Sequence, residues 1–156
     1  VIPNQMSAML DAFTAGDVKA LLLNGTNMLS SFADTNRLEH GLEKVELIVA
    51  VDLFMNETIE RQADIVLPAT AWLEQLGAKM TLSHLYLMDA ALPPEGECRT
   101  FSQILRALAG ELGLAQFFPW STDEAMLNAL FDHPSTGHVK VADLREQGGQ
   151  IGRAHV

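Results

Sequence analysis

Three apolar runs separated by helix-length segments constrain this chain more than anything else in it. They are the Val18–Leu23 stretch of "DVKALLLNGTN", "ELIVAVD" (Glu46–Asp52) and "DIVLPA" (Asp64–Ala69). Each is nearly continuous rather than alternating, the pattern of a strand with apolar surroundings on both sides. Between the first two, Leu38, Leu42 and Val45 recur at helical spacing behind Asp34 or Thr35, either of which suits an N-cap. Between the second and third, Asn56–Ala63 reads as a short helix. Strands alternating with helices make a parallel sheet, because parallel neighbours need a crossover to return the chain. The class expected is α/β, an open parallel sheet covered by helices on both faces. Ahead of it, Gln5–Gly16 is an amphipathic helix with Gly16 as its C′ stop.

The C-terminal half reads as helical. "MTLSHLYLMDAALPPEGECR" (Met80–Arg99) is extended and then turn-rich, broken by Pro93, Pro94 and Gly96. Thr100–Gly113 places Phe101, Ile104, Leu105, Leu108 and Leu112 on one helix face, Ser121–His133 opens on cap-type residues, and Val141–Gly149 holds a last short helix. With 156 residues, 48% of them hydrophobic, one core is expected. Residues 1–150 are assigned to a single α/β domain and 151–156 to a frayed tail. "HLYLM" (His84–Met88) and "FFPW" (Phe117–Trp120) are the candidates for exposed apolar surface. The net charge of -10 disfavours nucleic acid as a partner. No run is long enough to span a membrane, and the amino end lacks the basic and apolar regions of a signal peptide. The expected location is cytoplasmic. The chain has one cysteine, Cys98, so no multi-cysteine metal site is available within it. The histidines show no metal-ligand spacing, and no metal site is expected.

In open parallel sheets ligands bind where loops leave the carboxyl ends of the strands. Those ends carry Gly25-Thr26-Asn27, Asp52 behind Val51, and Pro68-Ala69-Thr70. An acidic residue closing the second strand is what dinucleotide-binding folds of Rossmann-like topology use to recognise a nucleoside's donors. Neither a G-x-G-x-x-G nor a P-loop is present, and a strand-terminal Asp is a cap or turn residue at least as often as a ligand. Spacing alone leaves both readings open.

The runs "GTN", "VAVDLFMNETIERQADIVLPATAWLEQLG" and "PPEGECRTFSQILRALAGELG" resemble the third domain of the molybdopterin oxidoreductases. This is the dimethyl sulfoxide reductase family, which includes formate dehydrogenases and nitrate reductases. The residues that carry the likeness are Gly25 and Asn27; Asp52, Phe54, Glu57 and Thr58; Ala63, Asp64, Leu67 and Pro68; and Glu74 and Gly77. The resemblance implies a bis(molybdopterin guanine dinucleotide) cofactor carrying molybdenum or tungsten, with the guanosine end of one dinucleotide held here. Asp52 would accept from guanine N1–H and the 2-amino group, and Val51 would offer backbone groups beside it. Gly25, Thr26 and Asn27 would approach ribose or phosphate, Thr58 would support the Asp52 loop, and Gln75 would add a contact. Asp64 is read as structural.

Two departures stand out. "GAKMTLSHLYLMD" replaces the Thr-Asn and Gly-Arg segment that follows Glu-Gly in many members, and Phe101 replaces a carboxylate at the start of the next helix. The resemblance places the metal-binding residue and the iron–sulfur cysteines outside this chain. No catalytic residue is therefore assigned, and the partners expected are the remaining domains of a parent oxidoreductase. A chain of this kind would hold no cofactor stably and catalyse nothing alone. The rival reading is a stand-alone acidic α/β domain for nucleotide binding or protein interaction.

Overall fold

The computed structural model describes residues 6–152, which divide into two compact units meeting between Ala69 and Thr70. Gln5 of the first expected helix and residues 153–156 of the expected tail lie outside the described residues.

The first unit runs α1 (Met6–Ala15), β1 (Ala20–Asn24), α2 (Met28–Ser31), α3 (Thr35–Leu42), β2 (Leu47–Asp52), α4 (Glu57–Gln62) and β3 (Ile65–Pro68). The strands form a parallel sheet in the order β1-β2-β3, with Leu23 opposite Ala50 and Ala50 opposite Val66. Helix α1 stops as expected: Gly16 sits at φ +75° and donates to the Phe13 carbonyl, and Asp17 donates to Ala12. Helix α3 starts at Asp34, whose carboxylate accepts from the Arg37 N–H.

One core holds the unit together. Leu23, Ile48 and Ala50 of the sheet pack with Phe13 of α1, Met28 and Leu29 of α2, Leu38 and Leu42 of α3, and Ile59 of α4. All four helices therefore lie on one face. A sheet whose order follows the sequence, with right-handed crossovers, returns every helix to the same side. The expectation of cover on both faces is corrected here. On the opposite face Leu22, Leu47 and Ile65 are exposed, although Val51, near the carboxyl end of that face, is fully buried.

Asp64 and Pro68 bracket β3 for opposite reasons. The Asp64 N–H donates to the Ile48 carbonyl, and its carboxylate accepts from the Ile48 N–H at 2.7 Å, filling the place of a ladder carbonyl. The structural reading of Asp64 fits this geometry. At the other end Pro68 stands opposite Asp52, and a parallel ladder takes its partners there from the residues on either side. The Ala69 N–H donates to the Asp52 carbonyl at 3.1 Å, so the N–H that proline lacks is not one this pairing uses.

The second unit carries a sheet that the sequence showed only as an extended stretch. Strands β4 (Gly77–Met80), β5 (His84–Met88) and β6 (Gln150–Gly152) pair antiparallel with β5 in the centre. Helices α5 (Phe101–Glu111), α6 (Asp123–Phe131) and α7 (Val141–Glu146) make up the expected helical half. Its core joins Leu85, Leu127, Phe131, Val139, Val141, Leu144 and Ile151. Ile151 and Gly152, assigned to a frayed tail, instead form most of β6, with Ile151 buried opposite Leu85. Burial of one isoleucine against the β4–β5 hairpin orders a segment too short to show any periodicity. Leu85 likewise removes "HLYLM" from the list of wholly exposed segments, while Phe117 of "FFPW" is 65% exposed. Leu108 and Leu112 of the expected α5 core face are exposed, and Ile104 and Ala109 are the buried positions.

Candidate functional site at the strand carboxyl ends

The loops leaving β1 and β2 are stitched together by side chains. Gly25 turns the chain at φ +59°, a conformation that an L side chain rarely adopts, and a Cβ there would meet nothing within 4 Å. Glycine is thus required by the turn rather than by crowding within the protein. Its N–H donates to the Val51 carbonyl at 2.9 Å, so that carbonyl already has a partner.

Asn27 and Thr58 face each other across the two loops. Thr58 is fully buried; its Oγ1 donates to Asn27 Oδ1 at 2.7 Å and accepts from the Leu29 N–H at 2.9 Å. The Asn27 Nδ2 donates to Ser30 Oγ at 2.9 Å. The Asn27 side chain is consequently held in place by protein groups, with its carbonyl oxygen engaged. Thr58 supplies one of the orphan N–H groups in the first turn of α2 with an acceptor.

Asp52 closes β2. Its Oδ1 accepts from the Leu53 N–H at 2.7 Å and, at a longer 3.4 Å, from Phe54 N–H, and its Oδ2 accepts from Asn56 Nδ2 at 3.0 Å. An ionised carboxylate has about four acceptor positions on its two oxygens. The two short bonds, one on each oxygen, orient the group, and the 3.4 Å Phe54 contact is too long to fill a position, which leaves about one acceptor position on each oxygen. The apolar residues Leu53, Phe54 and Met55 beside it are all exposed.

Asn56 was not singled out from the sequence, and it is the hub of the arrangement. Its Oδ1 caps α4 by accepting from the Ile59 N–H at 3.2 Å, and its Nδ2 reaches both Asp52 and, at 3.5 Å, the Thr26 carbonyl. The signal was available: asparagine directly before an acidic first turn, Glu57 and Glu60, marks an N-cap. What the sequence does not reveal is that the same amide reaches back to Asp52.

The structure thus brings Gly25, Thr26, Asn27, Val51, Asp52 and Thr58 to one end of the first sheet. Gln75 belongs to the second unit, where its Oε1 accepts from Thr70 Oγ1 at 3.0 Å. Glu74 braces its own loop, its carboxylate accepting from the Ala71 N–H at 2.7 Å and the Glu95 N–H at 3.1 Å. No group of His, Cys, Asp and Glu among the described residues could hold a metal ion. None of the helices among them is long and apolar enough to cross a membrane.

The first unit is thus a parallel α/β sheet with an oriented acid at the end of its second strand. Comparison with known proteins gives the family. The model of the molybdopterin oxidoreductases matches residues 1–111, and the chain belongs to that family. It is 31% identical over 147 residues to the assimilatory nitrate reductase catalytic subunit of Bacillus subtilis, covering 90% of this chain and 21% of that protein. It is 35% identical over 123 residues to a nitrate reductase of Symbiobacterium thermophilum, covering 76% of this chain and 16% of that one. Among solved structures, acetylene hydratase from Pelobacter acetylenicus superposes with a TM-score of 0.80 at 25% identity, over 94% of this chain and 20% of that one. The chain spans about a fifth of the length of the curated relatives it matches. The family implies a molybdenum or tungsten pterin cofactor.

Proposed function

We propose that this chain holds the guanosine end of a molybdopterin guanine dinucleotide, one of a pair in a larger oxidoreductase, and that Asp52 reads the guanine. The observation that carries this reading is the oriented Asp52 carboxylate, held by one short hydrogen bond on each oxygen and still able to accept from guanine N1–H and the 2-amino group. Adenine presents an acceptor at the equivalent ring nitrogen and is rejected. Gly25 and Thr26 line the neighbouring turn, where backbone groups suit a ribose or phosphate in a chain short of cations. Val51 and Thr58 act beneath them, the first through its strand position and the second by fixing Asn27. The molybdenum or tungsten pterin group supplies the redox chemistry of such an enzyme; the residues here bind and orient its nucleotide. The catalytic metal ligand and the electron-transfer centres belong to the other domains of the parent enzyme, which are the partners of this one. Alone, the chain turns over no substrate.

The test is two-dimensional NMR of the isotope-labelled chain with guanosine diphosphate against adenosine diphosphate. Shifts near Gly25, Asn27 and Asp52 for the guanine nucleotide only are expected, even at millimolar affinity, and Asp52→Asn should abolish the preference. An amide in place of the carboxylate points a donor at a donor, which costs roughly 1–3 kcal/mol. Equal shifts for both nucleotides would remove Asp52 from the site.

A further inference from the structure

We infer that Asn56 is a positioning residue for guanine recognition, holding the Asp52 carboxylate in an arrangement that leaves one acceptor position on each oxygen for the base. The inference rests on the reading of Asp52 as the guanine acceptor. It comes from the geometry of a single amide. The two ends of an asparagine amide differ only in donor and acceptor character, so its orientation is set by its neighbours. Here the α4 N-terminus decides: the Ile59 N–H needs an acceptor and takes Asn56 Oδ1 at 3.2 Å. The Nδ2 must then point the other way, where it donates to Asp52 Oδ2 at 3.0 Å and to the Thr26 carbonyl at 3.5 Å. The cap of a helix thus fixes a donor against the recognition carboxylate. The Leu53 N–H holds the other oxygen at 2.7 Å, with Phe54 N–H only a long 3.4 Å contact, so each oxygen carries one short bond and keeps one acceptor position. The neighbouring Glu57 does not compete for this position, because its carboxylate pairs with Arg61 at 3.0 Å.

Asn56→Asp separates this role from helix capping. An aspartate caps α4 as well as asparagine does, so the fold is kept, but it turns a carboxylate oxygen toward Asp52 in place of the amide donor. Guanine-specific NMR shifts at neutral pH are expected to fall about tenfold, the worth of one hydrogen bond to a charged group. Two like charges in contact share a proton as pH falls. Acidification toward pH 5 should therefore restore the donor and recover the response, measured as the ratio to the native chain with guanosine and adenosine monophosphates at each pH. A purely structural cap would give no such recovery. Asn56→Ser keeps the cap but has one short hydroxyl in place of the two amide atoms that serve Ile59 and Asp52 separately, so it should weaken the response at every pH. Ile59 amide exchange reports whether the cap survives. If Asn56→Asp and Asn56→Ser both bind the guanine nucleotide as the native chain does, the positioning role is refuted and the Asp52 reading stands. If the native chain itself fails to distinguish guanine from adenine, both are refuted together.

Discussion

Replacing Thr58 by valine removes one hydroxyl and almost nothing else of the side chain's shape. That hydroxyl satisfies two groups at once, the Leu29 N–H and the Asn27 Oδ1. Leu29 is buried, so its N–H is stranded without water, a loss of about 1–3 kcal/mol. Asn27 is only partly buried and can take water, so its share is the net value of one bond, about 0.5–1.5 kcal/mol. The expected total is roughly 2–4 kcal/mol. Thr58→Ser keeps both bonds and loses one buried methyl, about 1 kcal/mol. If apolar burial were what Thr58 supplies, the order would reverse and valine would be the milder change. Both tryptophans, Trp72 and Trp120, lie in the second unit, so fluorescence would follow the wrong half of the chain. Amide exchange of Leu29 and Ile59, read by NMR, follows the right one. A valine variant as stable as the serine variant, or more so, would refute the hydrogen-bond account.

Two further outcomes are expected. Gly41→Ala should cost about 1–2 kcal/mol in a circular-dichroism melt. Its Cβ would stand 2.9 Å from the Phe13 Cβ where α1 crosses α3, and overpacking of about 1–3 kcal/mol outweighs the roughly 1 kcal/mol gain in helix propensity; a raised midpoint would contradict this. In the second unit, burial pushes the Asp123 carboxyl up, but hydrogen bonds from Ser102, Arg106 and Thr100, together with the Arg106 charge, outweigh burial and hold it below its ordinary value. A depressed carboxyl contributes stability above its unfolded value of about 3.9 and loses it as pH falls through the folded value. Asp123→Asn should therefore flatten the acid limb of a fluorescence-monitored unfolding profile, and an unchanged limb would exclude Asp123 as its source.

The parallel sheet was legible because its strands are apolar along nearly their whole length, a pattern that survives without neighbours to compare. Which face the helices cover was not, because that depends on strand order, and order is set by crossovers rather than by any residue. The β4–β5 hairpin escaped for a chemical reason: its turn has no Asn-Gly or Asp-Gly. Thr81 builds it instead, its hydroxyl donating to the His84 carbonyl and accepting from the His84 N–H. Asp52 and Thr58 could be named from the family pattern, whereas Asn56 looked like punctuation at a helix boundary. A cap that also orients the carboxylate four residues before it depends on the conformation of the loop between them, which no residue pattern shows.

The stitching of the two loops also fixes when the site can exist during folding. Asn27 and Thr58 are 31 residues apart in the chain, and Thr26 and Asn56 are 30 apart. Neither contact can form until the connection through α2 and α3 has closed and β2 has docked on β1, and closing such a loop costs entropy before any bond offsets it. A nascent chain emerging as far as Asp52 has both strands but lacks the asparagine and threonine that join their ends. That end of the sheet is thus completed only once β2 has docked on β1, by residues that follow the strand they serve.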